Sequence, residues 1–208
     1  MNNLNSKEQA AKTVEEATER LNKLVRGPIK RIALELENSP AYLHSRAVSP
    51  GLQEFIEART YCHWMQYQTL VSCSEVQKEF EHVIKEKCDE NESERTVVTL
   101  LPLEDYMLGL ADLTGELMRK AINSVSSGDT EDCFHSCQVV RDLYAGFLGV
   151  FGGGRELARK LNTSRANALK AEGAAYALCV RGRHAPAPLL VPPPLVPDAE
   201  PSDDEGYY

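Results

Sequence analysis

The sequence predicts an all-α fold, an antiparallel helix bundle, on three observations. Apolar residues recur at helical spacing through most of the first 182 residues. Ser-Pro, Gly-Pro and Gly-rich breaks cut this stretch into helix-length pieces. The only run with strand character, VVTLL at 97–101, is short, and no repeat of fixed period stands out.

The elements follow in order. A helix rich in Glu, Lys and Ala covers about 6–25, and Gly27-Pro28 either breaks it or kinks it into a continuation to Glu37. Ser39-Pro40 ends that segment. Ser49-Pro50 starts the next, with Ser as N-cap and Pro in the first helical position, running to about Ser72. A further helix is expected from Ser74 to Lys87, followed by a polar loop, CDENESERT. Pro102 opens a long helix that stops at Ser126-Ser127-Gly128, and Asp129 begins another reaching Leu148. After Gly152-Gly153-Gly154, a last helix spans 155–181 and stops at Gly182.

Composition sets the outer limits. The 208 residues, 42% apolar and 26% charged, suit one helical domain, 1–182, and a tail, 183–208. Seven prolines and five acids make that tail extended and disordered. No run of eighteen apolar residues exists, so no membrane span is expected, and the hydrophilic N-terminus lacks a secretory signal. The six cysteines then read as reduced intracellular thiols, in nucleus or cytoplasm. Cys133, His135 and Cys137 form C-x-H-x-C, but no second pair at finger-like spacing supports zinc. The net charge of −8 does not look like a free-standing nucleic-acid binder. One Arg against five acids gives the tail −4, so the other 182 residues carry the remaining −4.

Chemistry is concentrated in two carboxylate pairs, Glu54 with Glu57 and Asp112 with Glu116. Each pair is spaced by one helical turn and set in an apolar stretch. The helix carrying Asp112 is amphipathic, and its polar stripe (Asp105, Asp112, Glu116, Arg119, Asn123) could be simply a solvated face. The helix carrying Glu57 is apolar on most sides, with Tyr61 and Trp64 beside the acids. Buried acids want a cation, which could be Arg119, Lys120 or a metal. A di-iron site would need Glu-x-x-His, and Glu57 is followed by Thr60 and Asp112 by Gly115. All-oxygen ligands favour Mg²⁺ or Mn²⁺, which usually serve phosphate chemistry. Taken alone, the residues point to a Mg²⁺-dependent phosphodiester or nucleotide hydrolase, with a structural salt-bridge network as the rival.

GLQEFIEA at 51–58, LEDYMLGLADLTGELMRKAINSVSSGD at 103–129, VRDLYAGF at 140–147 and YALCVRG at 176–182 together resemble the translin family, on the side of its factor X members. The similarity covers roughly 15–184. It implies an all-helical fold that assembles into hollow octameric barrels. It also implies a partnership with translin in cutting single-stranded RNA with Mg²⁺. The family's catalytic, metal-holding acids fall on Glu54, Glu57, Asp112 and Glu116, whereas translin itself lacks the Glu pair. Family members carry a further long N-terminal helix, which the expected bundle lacks.

For single-stranded RNA or DNA, the candidate contacts are Lys23, Arg26, Lys30 and Arg31 near the kink and Arg119 and Lys120 beside the acids. Arg59 and His63 are further possibilities. Each of these is also readable as an ordinary solvated charge. The isolated chain is expected to bind RNA weakly, translin supplying much of the positive field. The alternative is a non-catalytic nucleic-acid-binding subunit that stabilises translin and keeps a vestigial metal site.

Overall fold

Pro28 does not break the first helix; it widens it. The computed structural model describes residues 2–40, 43–88, 91–150 and 154–181, so the tail read above as disordered lies outside the described residues. Helix α1 (Asn2–Leu24) passes through a five-residue π-helical turn, Val25–Ile29, into α2 (Lys30–Leu36). Pro28 has no amide hydrogen and its ring crowds the carbonyl one turn back, so the ladder loosens there. Thr99 Oγ1 ties the kink down by donating to the Ile29 carbonyl at 2.9 Å. Because Thr99 is buried, Thr99→Val is expected to cost about 1 kcal/mol in denaturant unfolding. An unchanged midpoint would show that the kink stands without this anchor.

Helix α3 (Ser45–Tyr67) starts a turn before the Ser49-Pro50 signal and takes Pro50 inside. Ser49 is therefore not its cap; the hydroxyl donates to Asp105 Oδ2 at 2.9 Å instead. The helix ends at Gln68, whose left-handed backbone (φ 58°) sends its N–H back to the Trp64 carbonyl.

The next stretch departs from expectation. Helix α4 is only Cys73–Glu79, opened by a Ser72–Glu75 capping box. The chain then forms an antiparallel hairpin of β1 (Glu81–Cys88) and β2 (Asn91–Val98), paired from Glu81↔Val98 to Cys88↔Asn91. The helix expected from Ser74 to Lys87 thus holds to Glu79, after which its second half forms β1, and Asn91–Thr96 of the expected loop lies in β2. Val83, Ile84, Thr96, Val97 and Val98 favour the extended state. Burial alternates with period two at the end of the second arm, where Val97 and Thr99 are buried while Val98 and Leu100 are exposed.

Three long helices complete the bundle: α5 (Leu103–Ser127), α6 (Thr130–Leu148) and α7 (Arg155–Arg181). The stop at Gly128 adopts φ 76°, and the Asp129 side chain caps α6, as the sequence signals indicate. Helix α5 is the hub, packing on α3, α6 and α7. Its core is built around Ile56, Phe80, Leu113 and Leu117, with a second cluster of Ala121, Cys133, Ala171 and Ala174. Neighbours α5/α6 and α6/α7 run antiparallel. In contrast, α3 and α5 run the same way, since Ser49 meets Asp105 and Ile56 meets Gly109. The α4–hairpin segment supplies that crossover.

Candidate metal centre

Parallel running puts the two carboxylate pairs in step. The helices are brought together at Gly109, where a Cβ would lie 2.7 Å from Ile56 Cβ and 2.8 Å from the Gln53 carbonyl oxygen. Only a residue without a side chain permits that approach. One turn further along, Glu57 of α3 comes opposite Asp112 and Glu116 of α5. Glu57 is half-buried, and its carboxyl is pushed up to about 7 by burial and then by the charges of Asp112, Glu116 and Glu54, against the pull of Arg119. The other three predicted acids therefore all act on Glu57.

Their surroundings differ. Glu54, Glu57 and Asp112 line a cleft of about 390 Å³ together with Arg159, Lys160 and Asn167. Glu116 sits at its edge, ion-paired to Arg119, and faces a neighbouring cavity beside Tyr61 and Lys120. Asp112 Oδ2 accepts from Lys160 Nζ at 2.5 Å. Among the described residues, no three His, Cys, Asp or Glu side chains already stand close enough to wrap one ion. The donor set nevertheless suits a hard divalent cation. Four carboxylates face three cations, Arg119, Arg159 and Lys160, no histidine intervenes, and the central acid holds its proton to near neutrality. Binding would require Lys160 and Arg119 to give way.

Helix α7 delivers Lys160 through a small, polar seam. Asn167 Nδ2 donates to Thr114 Oγ1 at 3.0 Å, Thr114 donates to the Ala111 carbonyl at 2.7 Å, and Ser164 donates to the same carbonyl at 3.4 Å. Sequence reasoning offered Arg119 or Lys120 as the counter-ion and missed Lys160. A usable signal existed: Lys160, Ser164, Ala168 and Ala171 share one stripe of α7, and the last three are buried.

The basic candidates are divided. Lys23 is exposed and paired with Glu19 at 3.0 Å, Arg26 and Arg31 are exposed, and Lys30 lies near His82 of the hairpin. None of these four lines the carboxylate cleft. Lys120 donates to Asp132 at 2.6 Å and sits 5.9 Å from the Trp64 ring. Arg59 is not a free surface charge, because it grips Glu79 through two nitrogens, the shorter contact 2.6 Å. His63 bonds Thr69 at 3.2 Å and packs on the Tyr67 ring. The thiols of Cys133 and Cys137 are buried, while His135 stacks on Trp64 at 5.5 Å, so the C-x-H-x-C residues serve packing.

With this geometry established, similarity to known proteins is informative. A family model described as the Translin family matches residues 1–182, beginning upstream of the motifs quoted above. Translin-associated protein X of Mus musculus is 38% identical over 177 residues, which is 80% of this chain and 61% of that one. The Translin-associated protein X homolog of Schizosaccharomyces pombe (strain 972) is 26% identical over 163 residues, covering 76% and 62% respectively. The chain thus spans about three-fifths of the length of the curated relatives it matches. A solved structure described as apo-NeC3PO superposes with a TM-score of 0.49 at 17% identity, over 84% of this chain and 92% of that one. That superposition is too loose to bear further weight.

Proposed function

The chain belongs to the Translin family, and from that premise we propose that it is the catalytic subunit of a Mg²⁺-dependent endoribonuclease acting on single-stranded RNA in a hetero-oligomer with translin. The observation that carries this reading is the cleft lined by Glu54, Glu57 and Asp112, with Glu116 nearby, where burial and the other three carboxylates raise Glu57 to about 7. A structural network would be expected to match each acid with a cation. Here Glu54 and Glu57 have none assigned by an ion pair, while Asp112 and Glu116 have Lys160 and Arg119. The relatives' shared name, Translin-associated protein X, supports translin as partner.

Glu57 and Asp112 would hold the ion, with Glu54 on the open side of the cleft and Glu116 at its edge. Mg²⁺ supplies an acidified water and offsets the charge that develops on a phosphodiester. The chain's own cations do the rest. Arg159, exposed at the rim, and Arg119 meet the phosphate backbone. Lys23, Arg26, Lys30 and Arg31 on the α1–α2 kink, which do not line the cleft, would add a separate basic surface for the strand.

The test is RNA cleavage by the co-purified complex with and without Mg²⁺, for wild type, Glu57→Ala and Asp112→Asn. Loss of cleavage in both variants, with assembly intact, is the expected result. Undiminished cleavage in both removes the assignment. A second reading, a nucleic-acid-binding subunit with a vestigial site, is favoured by Asp112 and Glu116 being already ion-paired. It predicts RNA binding without Mg²⁺-dependent cleavage.

A further inference from the structure

Lys160 is unusually well held for a lysine. Its side chain is only 13% exposed, and the ammonium faces three acceptors, matching its three N–H bonds. These are Asp112 Oδ2 at 2.5 Å, Gln53 Oε1 at 3.0 Å and the Leu108 carbonyl at 3.5 Å. Gln53 is fixed in turn. Its amide donates to Asp105 Oδ1 at 2.9 Å, and the other oxygen of Asp105 accepts from Ser49 at 2.9 Å. Gln53 and Asp105 are both buried. A buried line from Ser49 through Asp105 and Gln53 therefore aims one positive charge at one oxygen of the carboxylate centre. A charge this deep is costly without such partners, and here they come from both α3 (Gln53) and α5 (Leu108 and Asp112).

We propose that Lys160, positioned by Gln53, is the resident counter-ion of the carboxylate centre: it neutralises Asp112 in the metal-free chain and must yield Asp112 Oδ2 to an incoming divalent cation. The proposal rests on the reading that this centre binds such an ion. Two consequences are opposite in sign. Lys160 stabilises the empty site, where four acids otherwise repel one another. It weakens metal binding, because ammonium and metal compete for the same oxygen and repel each other in the cleft.

Mn²⁺ binding to the full chain, followed by electron paramagnetic resonance of the free ion, reads the second consequence; thermal unfolding with and without Mn²⁺ reads the first. Lys160→Gln is expected to bind Mn²⁺ about tenfold more tightly, since a unit charge at contact distance is removed. Its Tm should be lower without the ion and should rise more than wild type when Mn²⁺ is added. Lys160→Arg, which keeps the charge, should restore the wild-type affinity. Gln53→Met leaves the charge but frees the ammonium, so it should shift affinity in the same direction by a smaller factor. That variant decides the matter if Lys160→Gln does not fold. Unchanged or weaker Mn²⁺ binding in Lys160→Gln, with wild type binding normally, overturns the counter-ion role and leaves the metal centre standing. Absence of Mn²⁺ binding in every form overturns both.

Discussion

Glu57→Gln is expected to cut the proposed Mg²⁺-dependent cleavage sharply while making the metal-free chain more stable above neutral pH. The two effects share one cause. Glu57 is the acid on which the other three converge, and its carboxyl is raised from 4.5 to about 7 by burial and by their charge. A folded-state pKa above the unfolded one means that the folded chain binds more protons between those values. The stabilising contribution of the protonated group is complete below about 4.5 and is lost as pH rises through about 7. Glutamine stays neutral throughout. The stability gain of the variant should therefore be negligible in acid, grow across that window, and level off above it. Allowing for solvent screening of a half-exposed group, the plateau is about 1–2 kcal/mol. Cleavage should fall by about 10²–10³-fold, the scale of losing one charged group that acts on the transition state. Urea unfolding of the metal-free chain at several pH values, beside cleavage assays, checks both. If Glu57 instead anchored a structural salt bridge, the same variant would be less stable at neutral pH.

Such a clash of like charges was legible in the sequence only in part. Local chemistry announced most boundaries. Pro28 bends the first helix, Gly128 and Asp129 separate α5 from α6, and Pro102 precedes α5. The spacing of Glu54 with Glu57 and of Asp112 with Glu116 put each pair on one helical face. Non-local choices were hidden. The segment EFEHVIKEK has helical charge spacing as well as β-branched residues. Its fate depends on distant partners, such as the Arg95–Glu37 pair at 2.5 Å and the Thr99 bond to Ile29. The hairpin matters beyond itself, since it is the crossover that lets α3 and α5 run in the same direction. The counter-ion of Asp112 lies 48 residues away on another helix; the stripe Lys160, Ser164, Ala168 and Ala171 marks that helix face as inward, but nothing local pairs it with Asp112. Arg119 and Lys120 were the nearer guesses. One serves Glu116, and the other turns away to Asp132.

Gly109→Ala is expected to be destabilising, against the usual benefit of alanine in a helix. Glycine to alanine inside α5 would ordinarily gain about 1 kcal/mol from a less costly ordering of the backbone. Here the new methyl would stand 2.7 Å from both Cβ and Cγ2 of Ile56 and 2.8 Å from the Gln53 carbonyl oxygen. None of these atoms is the tip of a flexible chain, so α3 and α5 must move apart. Overpacking of this kind costs about 1–3 kcal/mol, and Gly109→Val should cost more. The displacement falls beside the site: Gln53 carries the anchor of Lys160, and Glu57 directly follows Ile56, one turn beyond Gln53. Parting the helices should therefore weaken the mutual repulsion of the acids and flatten the pH dependence of stability described for Glu57. It should also loosen Mn²⁺ binding. Ile56→Ala should recover only part of the loss, because its Cβ and the Gln53 carbonyl remain in the way. A double-mutant cycle on Tm, with Mn²⁺ affinity measured for each member, tests the contact directly. A stabilised Gly109→Ala with unaltered Mn²⁺ binding would mean that the two helices do not meet at this glycine, and that the carboxylate pairs are not aligned by it.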